Sequence, residues 1–304
     1  MNTSKQSKDD RQPQQELWGL IYGAIGVMVF SLTLPATRVA VTNLHPVFVG
    51  LGRAVVAAIL AVIVLVVKRQ PLPAWRFIPN FLIVASGGII GFPLLSTLAM
   101  QNASASYGAV IIGLMPLTTA LFGVWRGGEK TAWQFWLFAI AGSGLVMAFA
   151  LTSGTGTLSF ADLALLGSVI TASFSYAEGT ILARNFGSWQ VICWSLVLVF
   201  PILFPIVWFY APSSLAIVSG NAWMGFLYVS IFSMFLGFLA WYHGLFLGGI
   251  AKIGQLQLIQ PFLTILASAV LLKEPLTIST IGFASGVILC VAMGRHRWKS
   301  EAKS

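Results

Sequence analysis

The stretch "LMPLTTALFGVWRGGEK" (residues 114–130) sets a proline inside an apolar run and a glutamate thirteen positions after it. Far down the chain, "IQPFLTILASAVLLKEP" (residues 259–275) repeats the arrangement: Pro261 answers Pro116, and Glu274 answers Glu129. Thr119 and Leu121 likewise match Thr264 and Leu266. Upstream, "VFS" (residues 29–31) parallels "SFS" (residues 173–175), and Gly91-Phe92 parallels Gly237-Phe238. Marks that keep their order and spacing point to an internal duplication, with halves at about 17–150 and 161–294.

The composition says what kind of duplication. The chain has 304 residues, of which 58% are hydrophobic and only 8% charged, whereas soluble domains carry about a quarter charged residues. Apolar runs of about twenty residues, enough to cross a ~30 Å hydrocarbon core, recur along it. The expected fold class is therefore an all-α membrane protein. Ten spans are expected, at about 17–42, 46–67, 77–100, 104–125, 131–150, 161–184, 189–210, 222–245, 250–272 and 277–294. Five spans per half is an odd number, so the second half enters the membrane from the opposite face. The chain then reads as two inverted five-helix repeats around a central cavity.

Charge placement orients it. With both ends in the cytoplasm, fourteen of the seventeen Lys and Arg residues lie inside, and only Arg38, Arg53 and Lys273 fall toward the outside. Residues 1–16 then form a cytoplasmic tail ahead of an uncleaved first span, and residues 295–304 a basic cytoplasmic tail. The net charge of +9 reports topology and not a nucleic-acid partner. Cys193 and Cys290 sit in apolar runs, which argues against a disulfide framework.

Polar side chains facing lipid are costly, so polar residues at helical spacing mark the bundle interior or a water-filled path. Span 6 carries Ser168, Thr171, Ser175 and Glu178 on one face, and span 9 carries Gln257, Gln260, Thr264 and Ser268. Span 1 offers Ser31, Pro35, Arg38 and Thr42; span 3 offers Ser86, Pro93, Thr97 and Gln101; span 8 offers Ser230, Ser233, Gly237 and Trp241. Five coherent stripes favour a cavity over scattered interhelical hydrogen bonds, with span 4 joining by symmetry with span 9. Pro116 and Pro261 stand mid-span as hinge or kink candidates, since each removes a helical hydrogen bond.

Glu178 stands out as an ionisable group inside span 6, nearer its cytoplasmic end. It is expected to couple protons or to recognise a substrate amine, or else to pair structurally with Lys252 or Arg184; His243 is also within plausible depth. The substrate or coupling set is Glu178, Ser175, Tyr176, Gln257, Gln260, Ser31, Thr97, Tyr107 and Trp241. Arg38 and Arg53 share the outer level, where snorkelling to headgroups or packing is favoured over binding a substrate carboxylate. Glu129 and Glu274 lie a membrane apart on opposite sides, each just before a new span. They are expected to cap helices, whose positive ends suit a carboxylate. Glycine pairs at Gly19/Gly23, Gly87/Gly91 and Gly282/Gly286 are expected to admit close helix packing.

Other chemistry is missing from the sequence. "GGIIG" and "GGEK" lack the context of a phosphate-cradling loop. His45, His243 and His296 are too scattered for a metal, and no nucleophile elbow or paired intramembrane carboxylate occurs. No cofactor, metal or catalytic residue is expected. The partners are a small-molecule solute and the lipid bilayer, and the pattern leaves a homodimer open.

Ten spans, the five-plus-five repeat, and a proline followed by "GE" or "KE" after each fourth span together resemble the drug/metabolite transporter superfamily and its EamA-type branch. "LGRAVVAAIL" (residues 51–60) is similar to the arginine-containing start of span 2 in that branch. The resemblance covers about residues 17–294. It implies a basket-shaped ten-helix fold and secondary transport by alternating access, often export, of small metabolites such as amino acids across the cytoplasmic (inner) membrane. Glu178 in "SYAEGT" departs from the branch, where acidic residues are not general at that point. An intramembrane enzyme acting on lipid and a non-transporting membrane scaffold or sensor are the competing readings. The first needs two convergent catalytic groups at one depth; the second has no need of polar stripes in both halves.

Overall fold

A backbone surrounded by hydrocarbon must satisfy its own N–H and C=O groups, so apolar runs of this length become helices. A computed structural model describes residues 11–127, 133–153, 159–214, 217–248 and 253–301, and among these residues there is no strand. The first span is α1 (Arg11–Ser31) and α2 (Thr33–Ala40), broken at Leu32. The second is one helix, α3 (Pro46–Val67). The third is α4 (Ile78–Val84), a π-helical stretch (Ala85–Gly91) and α5 (Phe92–Ala99). The fourth is α6 (Ala105–Ile112) followed, after a turn, by α7 (Met115–Gly127), and α8 is Trp133–Ser153.

The second half begins with α9 (Phe160–Phe186) and α10 (Ser188–Phe209). Then come α11 (Gly220–Leu227), a π-helical stretch (Tyr228–Gly237) and α12 (Phe238–Gly248). A 3₁₀ turn (Gly254–Leu258) leads into α13 (Gln260–Leu272), and α14 is Ile278–Glu301. Among the described residues seven helices are long and apolar enough to cross a membrane: Gln15–Ala40, Pro46–Val67, Trp75–Ala99, Ala105–Arg126, Phe160–Phe186, Ser188–Phe209 and Gly220–Leu247. Three shorter apolar helices, Trp136–Thr152, Leu256–Leu272 and Ile278–Cys290, accompany them. The protein is a multi-pass, all-helical membrane protein.

The two halves repeat their irregularities as well as their helices. In each, a wide π-helical stretch ends on a glycine followed by phenylalanine, at Gly91-Phe92 and Gly237-Phe238. In each, a broken helix restarts with proline as its second residue, Pro116 in α7 and Pro261 in α13. Proline there costs little, because the first N–H groups of a helix have no intrahelical partner anyway. The prolines thus mark full breaks where kinks were expected.

Glycine sets the closest crossings. A Cβ on Gly244 of α12 would lie 2.7 Å from the backbone nitrogen of Gly23 and 3.0 Å from the carbonyl oxygen of Gly19. A Cβ on Gly87 would lie 2.3 Å from the carbonyl oxygen of Thr171, so the π-helical stretch presses directly onto α9. Gly282 is different: a Cβ there meets nothing within 4 Å.

Candidate functional site

The breaks in the fourth and ninth apolar segments open onto one cavity of about 530 Å³, including its mouth. Ala109, Ile112 and Met115 bring the first break to its wall, and Gln260, Pro261 and Thr264 bring the second. Phe30, Phe92, Tyr176 and Phe238 add aromatic surface, with Leu34 and Met234 beside them. The polar part is small. Thr33 and Ser233, both lining it, join hydroxyls at 2.8 Å and tie the break in the first span to the second π-helical stretch.

Arg53 is the charged group in this wall. Its side chain is only 1% exposed. Its Nε reaches the carbonyl of Gly50 at 3.4 Å and its Nη2 reaches Ser96 Oγ at 3.5 Å, both long for hydrogen bonds. The guanidinium stands 6.0 Å from the centre of the Phe92 ring, within range of a weak cation–π attraction. No carboxylate pairs with it among the described residues. The effective penalty for burying an ion is several kcal/mol, and two long bonds and one ring offset little of it. Arg53 lies two turns into α3, about 10 Å from its start at ~1.5 Å per residue, and its burial among the helices favours packing over snorkelling. Arg38 differs: its Nη1 donates to the carbonyls of Met100 and Gln101, cations at the negative end of a helix being favourable.

Of the residues expected to bind or couple, Tyr176 and Gln260 line the cavity, as does the hinge candidate Pro261. Glu178, Ser175, Gln257, Ser31, Thr97, Tyr107 and Trp241 are not among its described lining residues. Ser31 and Ser175 spend their hydroxyls on the carbonyls of Val27 and Val84, each at 2.7 Å. Tyr107 donates to Asp162, which in turn closes a capping box with Ser159 at the start of α9. Thr97 Oγ1, Gln257 Nε2 and Trp241 Nε1 are buried without a hydrogen-bond partner among the described residues.

Glu178 is 4% exposed and pairs with Arg126, in the last turn of α7. That is not the partner expected for it: Arg184 and His243 do not pair with it among the described residues. Lys252 lies outside the described residues, and so does Glu129. Glu274 is described, and both its oxygens accept backbone N–H bonds, from Ala105 and Ser106 at 2.9 Å each. The carboxylate therefore sits on the first turn of α6, not on the span that follows it in sequence. Thr264 and Ser233 belonged to the polar stripes and Phe92 to the repeat marks; Thr33 belonged to neither, and Arg53 stood on a span with no polar stripe. Its signal was the unpaired charge alone.

The EamA-like transporter family model matches the chain twice, at residues 17–150 and 159–293. An uncharacterized transporter, YdeK, of Bacillus subtilis (strain 168) is 46% identical over 278 residues, covering 91% of this chain and 97% of that one. A WAT1-related chloroplastic protein of Arabidopsis thaliana is 27% identical over 267 residues, 82% of this chain and 62% of its own length. A solved crystal structure, 15% identical in sequence, superposes with a TM-score of 0.67 over 91% of this chain and 98% of its own, a likeness of fold alone. Two family matches spanning the helical halves, with a relative aligned almost end to end, lead to one conclusion: the chain belongs to the EamA-like transporter family.

Proposed function

We propose that this chain is a secondary active transporter in the cytoplasmic (inner) membrane that exports a small organic metabolite, such as an amino acid, by alternating access. The observation that carries it is the cavity at the meeting of the two broken helices, lined by Gln260 and Pro261 on one side and Met115 and Ile112 on the other. Irregular backbone at membrane depth is tolerated where it lines a cavity, and paired interrupted helices are a recurring place for substrate sites in transporters. In this reading the three shorter apolar helices cross the membrane together with the seven long ones, as ten spans in two inverted five-helix repeats, 17–150 and 161–294, with both tails cytoplasmic. Pro116 and Pro261 then act as hinges, and Tyr176 and Gln260 contact the solute.

Glu178 takes a coupling role in this reading through its partner. With Glu178 ionised, Arg126 ties α7 to α9; protonation removes the attraction and frees the end of the broken span to move. We assign the protein no catalytic role in this reading. Flux of a panel of amino acids into and out of proteoliposomes, with and without a pH gradient, tests the proposal. Saturable, gradient-sensitive flux of at least one solute is expected. Absence of flux for every solute, beside a lipid-modifying activity, overturns it.

A further inference from the structure

The cavity holds a cation and, among the described residues that line it, no acid. Arg53 is buried, makes only two long hydrogen bonds, and has no carboxylate partner among the described residues. The wall also receives the first turns of two thirteen-residue helices, α7 at Met115 and α13 at Gln260 and Pro261. The N-terminal end of a helix carries partial positive charge. Cation and helix ends therefore bias one small space toward an anion. Much of the remaining wall is apolar and aromatic, through Phe30, Phe92 and Phe238, and suits an uncharged hydrocarbon body.

We propose that Arg53 anchors the carboxylate of a monoanionic organic solute whose remaining part is apolar or aromatic. The proposal rests on the transporter reading and narrows its substrate class. A guanidinium offers two parallel N–H donors to the two oxygens of a carboxylate, an acceptor pair that neither the Gly50 carbonyl nor the Ser96 hydroxyl provides. One positive charge is balanced by one carboxylate. A zwitterionic amino acid brings an ammonium as well, for which the described wall holds hydroxyls and an amide but no carboxylate. The cavity is thus better matched to the desamino acid than to the amino acid itself.

The test uses the purified full chain in detergent, with binding read calorimetrically. The probes are 3-phenylpropionate, hexanoate and propionate, each against its primary amide, with phenylalanine as the zwitterionic comparison. The expected result is saturable binding of at least one acid, tighter than its amide and than phenylalanine by tenfold or more. Arg53→Gln abolishes the acid-over-amide preference and leaves amide binding within about twofold. Arg53→Lys keeps the preference but weakens acid binding several-fold, since an ammonium cannot make the paired contact. Size exclusion and circular dichroism confirm folding; if Arg53→Gln does not fold, the preference retained by Arg53→Lys decides. No saturable binding of any acid by the native protein overturns the proposal, and so does an acid preference that survives in folded Arg53→Gln. Equal binding of acid and amide to Arg53→Lys overturns it too. Arg53-dependent acid binding without flux in proteoliposomes defeats the transport reading and not the anion site. Flux of a different solute, unchanged in Arg53→Gln, defeats the anion site and not the transport reading.

Discussion

Glu274 reaches across the repeat boundary to cap a helix of the other half: its two carboxylate oxygens each accept an N–H, from Ala105 and from Ser106, at 2.9 Å. Charge-assisted bonds at a helix N-terminus satisfy donors that nothing within the helix can satisfy. The contact also fixes the start of α6, one half of a broken span, against the end of α13, half of the other. Both lead to the cavity.

Glu274→Ala is expected to lower stability by about 1–2 kcal/mol, the range for losing an N-terminal cap, with Glu274→Gln in between. Thermal unfolding in detergent measures this. An unchanged midpoint for Glu274→Ala would mean that the carboxylate holds nothing.

The Arg126–Glu178 pair is expected to show in function more than in stability, because Arg126 is 43% exposed and water screens it. Glu178→Gln and Arg126→Gln should each slow flux and flatten its dependence on pH. The double variant should be no worse than either alone, since one broken contact cannot be broken again. Additive losses in proteoliposome flux would show that the two side chains act separately.

Glycine spacing gives a stability contrast. Gly87→Ala places a methyl group 2.3 Å from the carbonyl oxygen of Thr171 and 2.9 Å from Ser175 Cβ, and overpacking of this kind costs about 1–3 kcal/mol. Gly282→Ala meets nothing within 4 Å and should be neutral or slightly stabilising. Comparable melting temperatures for the two variants would refute the close crossing of the π-helical stretch and α9.

Proline at the second position of α7 and α13 predicts a separation of stability from rate. Pro116→Ala and Pro261→Ala should alter unfolding by less than about 1 kcal/mol, because no helical bond is missing at that position. The added N–H lets the helix continue through the break, so flux should fall several-fold. A large loss of stability with normal flux would assign these prolines to packing alone.

Much of this architecture was legible because hydrocarbon allows few solutions. Helix positions followed from apolar run lengths, and Pro116 and Pro261 marked where two spans are irregular, though as kinks and not as full breaks. Through-space partners were not legible. Arg126 stands 52 positions before Glu178, at the end of another helix, and Arg184 on the same helix was the nearer guess in sequence. Glu274 was read against the span that follows it, while its carboxylate turns back to Ala105. The polar stripes mixed two kinds of residue: Ser31 and Ser175 satisfy backbone carbonyls, whereas Ser233 and Thr264 reach the cavity; Thr33, which also lines it, stood in no stripe. Arg53 was visible as a charge, but only the packing of α3 could show that it points inward and not to the headgroups. The π-helical stretches had no signal beyond Gly91-Phe92 and Gly237-Phe238.

The uncompensated charge of Arg53 has an electrical consequence. A transmembrane voltage acts on net charge that moves through it, at about 2.3 kcal/mol per elementary charge per 100 mV for the full field. With a monoanion seated, the Arg53 region is neutral and its movement draws almost nothing from the voltage. Empty, it carries one positive charge, so the voltage falls on the return of the unloaded protein. In the proposed alternating-access cycle, membrane potential would then set how quickly the binding site is presented again, and voltage-clamp recordings on reconstituted membranes would register the empty stroke, not the loaded one.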